Sequence, residues 1–171
     1  MHTVADSFPL PNIDANLHKL GKAKYFTTLD ARGAFYSLEV EPGSRDYTTF
    51  TSVFGNYRWL RLPFGVKNGP AAYSRLIMLA LQHLPPGFTL AYVDDIVVYS
   101  HSIDEHIAHV RAVLEMHIRF GMKLNLAKCH VAQRSVEYLG HLVSEKGIQM
   151  IPSYVDRVVE WTMPRTATEL R

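Results

Sequence analysis

The most regular pattern in the chain is two short apolar runs, Phe88 to Val93 and Ile96 to Tyr99, with Asp94-Asp95 between them. Runs of this length predict the two strands of a hairpin. Tyr25 to Asp30 reads as another strand, ending on a carboxylate. Leu38 and Val40 alternate with Glu39 and Glu41, which predicts a half-buried strand. Tyr47 to Ser52 and Tyr57 to Leu62 are rich in aromatic and β-branched residues and flank Phe54-Gly55-Asn56, a second hairpin signal. A short element at Met122 to Leu124 precedes a last strand region over Val136 to Val143, with Gly147 as a turn residue.

Helical periodicity occupies the intervals. Pro9-Leu10-Pro11 reads as an extended lead-in, and Ile13 to Leu20 as a short helix capped by Asn12 and stopped at Gly21. A second helix opens at Gly69-Pro70, buries Ala72, Leu76, Ala80 and Leu84, and stops at Pro85-Pro86. Ser102 and Glu105 form a capping box for a third, with Ile107, Val110, Leu114 and Ile118 as its buried stripe and Gly121 as its end. Pro152 opens a final helix through Val155, Val158, Val159 and Trp161. The chain reaches Arg171 soon after Pro164, which reads as an interruption before a further element. Hairpins mixed with helices predict an α+β fold, with helices packed on one face of an antiparallel sheet.

Composition narrows the class. The 171 residues are 47% hydrophobic and 20% charged, enough for one domain with a real core and unlike a disordered chain. A net charge of +2 permits a polyanionic partner without requiring one. A single cysteine, Cys129, excludes an internal disulfide and a multi-cysteine zinc site. His106 and His109 lie on a charge-rich helix and are expected to be solvated. No apolar run is long enough to span a bilayer and no secretory signal opens the sequence, so no membrane association and an intracellular location are expected.

Two adjacent carboxylates between apolar strands repel each other and are costly to bury without partners. A divalent cation would resolve that cost. If the strand ending at Asp30 neighbours the hairpin, Asp30, Asp94 and Asp95 converge at one sheet edge. Two ions about 4 Å apart then fit between them. Magnesium suits oxygen ligands and leaves room for phosphate oxygens. That is the chemistry of nucleotidyl transfer. Adjacent strand residues face opposite ways, so the two hairpin aspartates need not share one role, and Asp94 is expected to be the closer ligand. A plain solvent-exposed turn is the alternative reading.

Several longer runs carry a resemblance. PLPNIDANLHKLGKAKYFTTLDARGAFYSLEV, TTFTSVFGNYRWLRLPFGVKNGPAAYSRL, YVDDIVVYS, HIAHVRAVLE, GMKLNLAKCHVAQRSVEYLGHLVSEKGI and WTMPRTATELR together resemble the palm of a reverse transcriptase, that of gypsy-type long-terminal-repeat retrotransposons in particular, over residues 9–171. The resemblance implies an RNA-directed DNA polymerase using two Mg2+ ions, with Mn2+ as a possible substitute. It implies Asp30 and Asp94 as metal ligands and Asp95 as the supporting third carboxylate. Ala31, Arg32, Gly33 and Ala34 would line the nucleotide site. Phe35, five positions after Asp30, would lie under the sugar and clash with a 2′-hydroxyl; a core phenylalanine is its bland alternative. Phe64 and Gly65 would approach the nucleotide. Lys67, Asn68, Pro70 and Tyr92, with Leu139, Gly140 and His141 as the hairpin holding the primer end, would meet template and primer. The implied partners are an RNA or DNA template with its primer, deoxynucleoside triphosphates, and the other Pol domains: fingers, thumb, ribonuclease H and integrase. The implied setting is a cytoplasmic particle. The resemblance also divides the chain into a palm with partial fingers over residues 1–150 and the start of a thumb or connecting segment over residues 151–171.

The sequence departs from the family pattern in places. Gly33-Ala34 stands for serine-glycine, Ser37 for glutamine, Tyr47 for lysine and Gly69 for alanine, and Val66 follows the Leu62-Pro63-Phe64-Gly65 run. None removes a carboxylate; together they point to a divergent lineage or a drifted element. Most of the basic fingers and essentially all of the thumb would lie outside the chain, and template-primer affinity depends on many phosphate contacts. A catalytically inactive remnant that binds nucleic acid is therefore the competing function. A further one is another palm-type enzyme that makes RNA, against which Phe35 weighs.

Overall fold

A computed structural model describes residues 3–9 and 12–154. The expected thumb segment, the last helix beyond Tyr154, and Leu10-Pro11 lie outside the described residues. The order begins with α1 (Ile13–Leu20), β1 (Tyr25–Asp30), β2 (Phe50–Ser52), β3 (Gly55–Tyr57) and α2 (Gly69–Leu81). It continues with β4 (Thr89–Tyr92), β5 (Asp95–Ser100), α3 (Ile103–Arg119), β6 (His130–Gln133), β7 (Ser135–Tyr138), β8 (His141–Ser144) and β9 (Gly147–Met150).

The central sheet has the strand order β4-β5-β1-β6 with every neighbour antiparallel. β5 reads Ile96-Val97-Val98-Tyr99, and alternation sends its side chains to both faces of the sheet. Ile96 and Val98 join Leu29, with Tyr73, Ile77 and Ala80 of α2 and Val113 and Met116 of α3, in one core. Val97 and Tyr99 join Phe26 and Leu90, with Leu17 and Leu20 of α1 and Val136, Tyr138 and Val143, in a second. An apolar run buried on both faces is what a doubly covered strand requires. The expected α+β fold therefore stands, with α2 and α3 on one face. The other face carries α1 and a separate three-stranded sheet, β7-β8-β9.

Several local expectations change. The Leu38-to-Glu41 segment is not a strand. Short 3-10 turns over Ala34–Ser37 and Pro42–Thr48 flank it, leaving only a single bridge between Glu39 and Arg61. The β2–β3 hairpin is shorter than its sequence signal and turns at Val53-Phe54, so Gly55 and Asn56 belong to β3. β6 is an edge strand with every residue exposed, which removes the alternation that would have announced it. The turn between β8 and β9 is Glu145-Lys146, and Gly147 begins β9 with φ +113°.

Both long helices are rotated from the expected register. In α2 the buried stripe is Tyr73, Ile77 and Ala80, with Ala72 and Leu76 only partly covered. In α3 the buried residues are His106, Val113, Met116 and His117, whereas Ile107, Leu114 and Ile118 are exposed. Histidine chemistry explains the rotation. His106 is 1% exposed, and its two ring nitrogens meet the Thr27 and Ser100 hydroxyls at 2.7 and 2.9 Å. His109 reaches Ser100 at 2.8 Å and stacks on Phe88 with ring centroids 4.1 Å apart. A neutral imidazole supplies one donor and one acceptor, which suits two hydroxyls in a core. Neither histidine is the solvated residue that the surrounding charges imply.

The expected caps hold. Asn12 accepts from the Ala15 amide. Ser102 accepts from the Glu105 amide while Glu105 accepts from the Ser102 amide. Among the described residues no helix is long and apolar enough to cross a membrane.

Burial holds the pKa values of both His106 and His117 below the ordinary histidine range. In each case the unfolded chain takes up the proton first. Stability is fully present above about pH 6.5 and is lost as pH falls below it, by at most about 1.4 kcal/mol per histidine at pH 5.5. Urea melts at pH 7.5 and 5.5 measure this, and a flat profile would contradict it. Ser102→Ala should cost about 1 kcal/mol in the same melts.

Candidate active site

The β1–β5 ladder pairs six residues from Tyr25↔Ser100 to Asp30↔Asp95. Direct partners in an antiparallel ladder share a face and sit close together. The register therefore places the Asp30 and Asp95 side chains side by side at the end of the sheet. Asp95 is the first residue of β5 and also pairs with Tyr92. The hairpin turn is thus Val93-Asp94, and Asp95 is a strand residue, not a turn residue as the dipeptide implies. Val93 has φ +52°, a sign that favours glycine at this point of a tight hairpin.

The electrostatics are those of crowded like charges. Partial burial raises the Asp94 carboxyl above its ordinary range, and the charges of Asp95 and Asp30 raise it further. Asp95 is raised by burial and by Asp30, and Lys128 opposes the shift. The Lys128 ammonium stands 3.6 Å from Asp30. It is delivered by the segment that runs beside the end of β1. There the Arg32 amide donates to Lys123 O at 2.8 Å and the Asn125 amide to Asp30 O at 2.9 Å. A cleft of about 660 Å³ opens beside Asp30 and Asp95, walled by Lys128, Glu137 and Tyr138.

Among the described residues no three acidic, histidine or cysteine side chains already form a metal cage. The donor chemistry still fits a divalent cation. Burial and the charge of Asp30 raise the Asp94 and Asp95 carboxyls, and a cation between the carboxylates would remove that penalty while water and phosphate complete its oxygen shell.

The residues after β1 build a wall beside the carboxylates. Gly33 has φ +61°, and a Cβ there would lie 3.1 Å from the Tyr36 ring, so glycine meets both constraints. Ala34 is buried and Arg32 is exposed. Ala31 bridges to Leu124. Phe35 is half-buried, its ring 5.1 Å from that of Phe64 and 6.2 Å, edge-on, from that of Tyr73. Phe64 is exposed and also meets Tyr36 edge-on at 5.3 Å. Gly65 follows with φ +86°. Gly69 passes beneath Phe35, and a Cβ on it would touch the ring at 3.7 Å.

The remaining candidates divide. Leu139 and Gly140 form the β7–β8 turn with positive φ, and His141 donates from Nδ1 to Leu139 O at 2.9 Å. Leu139 and Tyr92 both pack on the second core, which brings that turn toward the hairpin that carries Asp94. Pro70 lies in the first turn of α2. Lys67 and Asn68, in contrast, are engaged by the start of the chain. Lys67 donates to Thr3 O at 3.3 Å, Asn68 donates to Val4 O at 2.9 Å, and the Asp6 amide returns to the Asn68 side chain at 3.1 Å.

Three residues beside the carboxylates carry no signal of their own in the sequence reading. Lys128 sits in a stretch without periodicity. The Tyr138 hydroxyl is buried without a hydrogen-bond partner, and the charge of Asp95 adds to the burial that raises its pKa. Tyr73 is similar on the other side, beside Asp94 and Asp30. The spacing Tyr73, Ile77, Ala80 marks a buried helix face and is the signal that would have found it.

This geometry accords with known proteins. The family profile described as "Reverse transcriptase (RNA-dependent DNA polymerase)" matches residues 1–143. The Pol polyprotein of transposon 297 from Drosophila melanogaster is 36% identical over 169 residues, covering 99% of this chain and 16% of that protein. The corresponding figures for transposon opus of the same organism are 37%, 99% and 17%. The Tf2-3 polyprotein of Schizosaccharomyces pombe is 32% identical over 164 residues, covering 96% of this chain and 12% of that protein. Among solved structures, a foamy viral protease-reverse transcriptase bound to double-stranded DNA aligns with a TM-score of 0.88 and 26% identity, over 98% of this chain and 29% of that one. The foamy viral enzyme bound to an RNA/DNA hybrid aligns at 0.84 and 26%, over 98% and 22%. The chain thus spans about a sixth of the length of the first two transposon proteins. It is a palm domain belonging to the reverse transcriptase family, homologous to retroviral and long-terminal-repeat retrotransposon Pol proteins.

Proposed function

We propose that this chain is the polymerase core of a gypsy-type retrotransposon Pol protein, adding deoxynucleotides to a primer 3′-hydroxyl on an RNA or DNA template. The observation that carries the reading is the ladder register that sets Asp30 beside Asp95 with Asp94 in the adjoining turn. Two Mg2+ ions, when bound, supply activation of the attacking hydroxyl and neutralisation of the leaving pyrophosphate. Asp30 and Asp94 are the residues to hold them, and Asp95 supports.

Phe35 presents a rigid ring beside this centre, backed by Tyr73 and by Gly69. A sugar seated on that ring keeps room for a hydrogen at C2′ and none for a hydroxyl. Tyr92 and the Leu139-Gly140 turn would hold the primer end, a reading supported by the packing of Tyr92 and Leu139 on one core. The domain reading stays as the sequence implied: palm with partial fingers over residues 1–150 and the approach to a thumb over residues 151–171. The relatives are polyproteins, and the foamy viral structures contain an RNA/DNA hybrid or double-stranded DNA. Both support nucleic-acid partners and further Pol domains for the protein that contains this chain.

The 171-residue chain alone should extend a primer weakly or not at all. In a version lengthened with fingers and thumb, primer extension with Mg2+ and deoxynucleotides should fall at least about a hundredfold on Asp94→Asn. Equal extension by both proteins would remove Asp94 from the site. Normal template binding with no extension by the lengthened parent would favour the inactive remnant. Phe35→Val should narrow the preference for deoxynucleotides over ribonucleotides by about tenfold or more, read as a ratio of kcat/KM values.

A further inference from the structure

Every residue of β6 is exposed, and the strand lies at the edge of the central sheet. Burial contributes little to holding it there. An apolar groove of about 310 Å³ lies between β6 and α3, with Val131 and Ala132 on one wall and Ile107, Val110 and Leu114 on the other. What remains is bonding to β1, and the ladder is interrupted. Phe26 pairs with Gln133 and Thr28 with His130, so Val131 and Ala132 stand opposite Thr27 alone. Two residues against one make a β-bulge, and Ala132 takes φ +52° within it. Its amide donates to a side chain, the Thr27 hydroxyl, at 3.0 Å.

Thr27 is fully buried, and among the described residues its hydroxyl has one further partner, Nε2 of His106 at 2.7 Å. Counting hydrogens then orders a longer chain of bonds. The Ala132 amide can only donate, so Thr27 accepts from it and gives its own hydrogen to His106 Nε2. A neutral ring that accepts at Nε2 carries its hydrogen on Nδ1, which donates to the Ser100 oxygen at 2.9 Å. Ser100 in turn gives its hydrogen to His109 Nδ1 at 2.8 Å. The opposite order would bury the Thr27 hydrogen with no acceptor among the described residues, which is costly in an apolar interior. Donation therefore runs one way, from Ala132 in β6 through Thr27, His106 and Ser100 to His109.

The bulge matters to the carboxylates because of what precedes it. β6 begins two residues after Lys128, whose ammonium stands 3.6 Å from Asp30. Holding β6 on β1 also holds the backbone of Lys128 beside the end of β1. We propose that Thr27, His106, Ser100 and His109 form one hydrogen-ordered relay that latches the bulge of β6 and so positions Lys128 against Asp30. Thr27 and His106 are positioning residues that act through β6. The relay acts whether or not the carboxylates hold a cation.

Histidine nitrogen NMR on the isotope-labelled 171-residue chain at about pH 8, above the ordinary histidine range, reads the order directly. His106 should carry its hydrogen on Nδ1 and His109 on Nε2. Either ring in the other tautomer would overturn the relay, and this measurement needs only the parent protein. Amide hydrogen exchange tests the latch. Thr27→Val keeps the shape of the side chain and removes the hydroxyl. Ala132 and His130 should then exchange about fivefold faster or more, measured against Val113 in the core of α3. The nuclear Overhauser contact between the Lys128 and Asp30 side chains should weaken with them. Thr27→Ser restores the hydroxyl and should return both readouts to parent values. Unchanged exchange at Ala132 in Thr27→Val, or an equal rise at Val113, would overturn the latch. An intact Lys128–Asp30 contact beside a freed Ala132 would overturn the positioning of Lys128.

Discussion

The antiparallel pairing of β1 with β5 is the constraint from which the rest of the molecule follows. Its register decides which residues reach the helical core and which reach the second sheet, because a slip by one residue would exchange the two faces. The same register sets Asp30 beside Asp95 at its far end. Hydrophobic burial on two faces thus fixes the position of two charges that repel. The favourable term is distributed over Ile96, Val97, Val98 and Tyr99, and the unfavourable term is confined to the strand ends.

Much of this was legible in the sequence where local chemistry and pattern agree. The apolar runs around Asp94-Asp95, the Asn12 cap and the Ser102–Glu105 box all appear where the residues place them. Misreadings arose where a residue's usual environment is not its actual one. His106, expected to be solvated, fills a core position, as does His117, so α3 is turned and Ile107 and Ile118 face outward. β6 is exposed throughout and has no alternation to read. Leu38 to Glu41 alternates like a strand, yet the turns at Ala34–Ser37 and Pro42–Thr48 leave it nothing to pair with beyond one bridge.

The site follows the same division. The three aspartates are visible because carboxylates at strand ends carry chemistry, whereas Phe35 is visible only through the family resemblance. Lys128 was not, because its approach to Asp30 depends on backbone bonds from Arg32 and Asn125 that no side-chain pattern encodes. Tyr73 and Tyr138 look like ordinary core aromatics along the chain; only their unpartnered oxygens, met in three dimensions, distinguish them. Lys67 and Asn68 illustrate the converse. Their residue types suit a polyanion, yet both are engaged by Thr3, Val4 and Asp6.

Val93 carries a consequence for how the site can change over evolutionary time. A β-branched residue at positive φ costs of the order of 1–2 kcal/mol, and the flanking ladder must hold it there. The turn is therefore a poor independent unit: it does not choose its own shape but takes the one that β4 and β5 impose. Substitutions that loosen the apolar packing of those strands, well away from Asp94, would let the turn relax and carry the carboxylate with it. Substitutions in the turn itself that tolerate positive φ would leave the strands untouched. The heritable information for the position of one acidic side chain is thus stored mainly in the hydrophobic residues around it, and selection on the chemistry is felt as selection on the core.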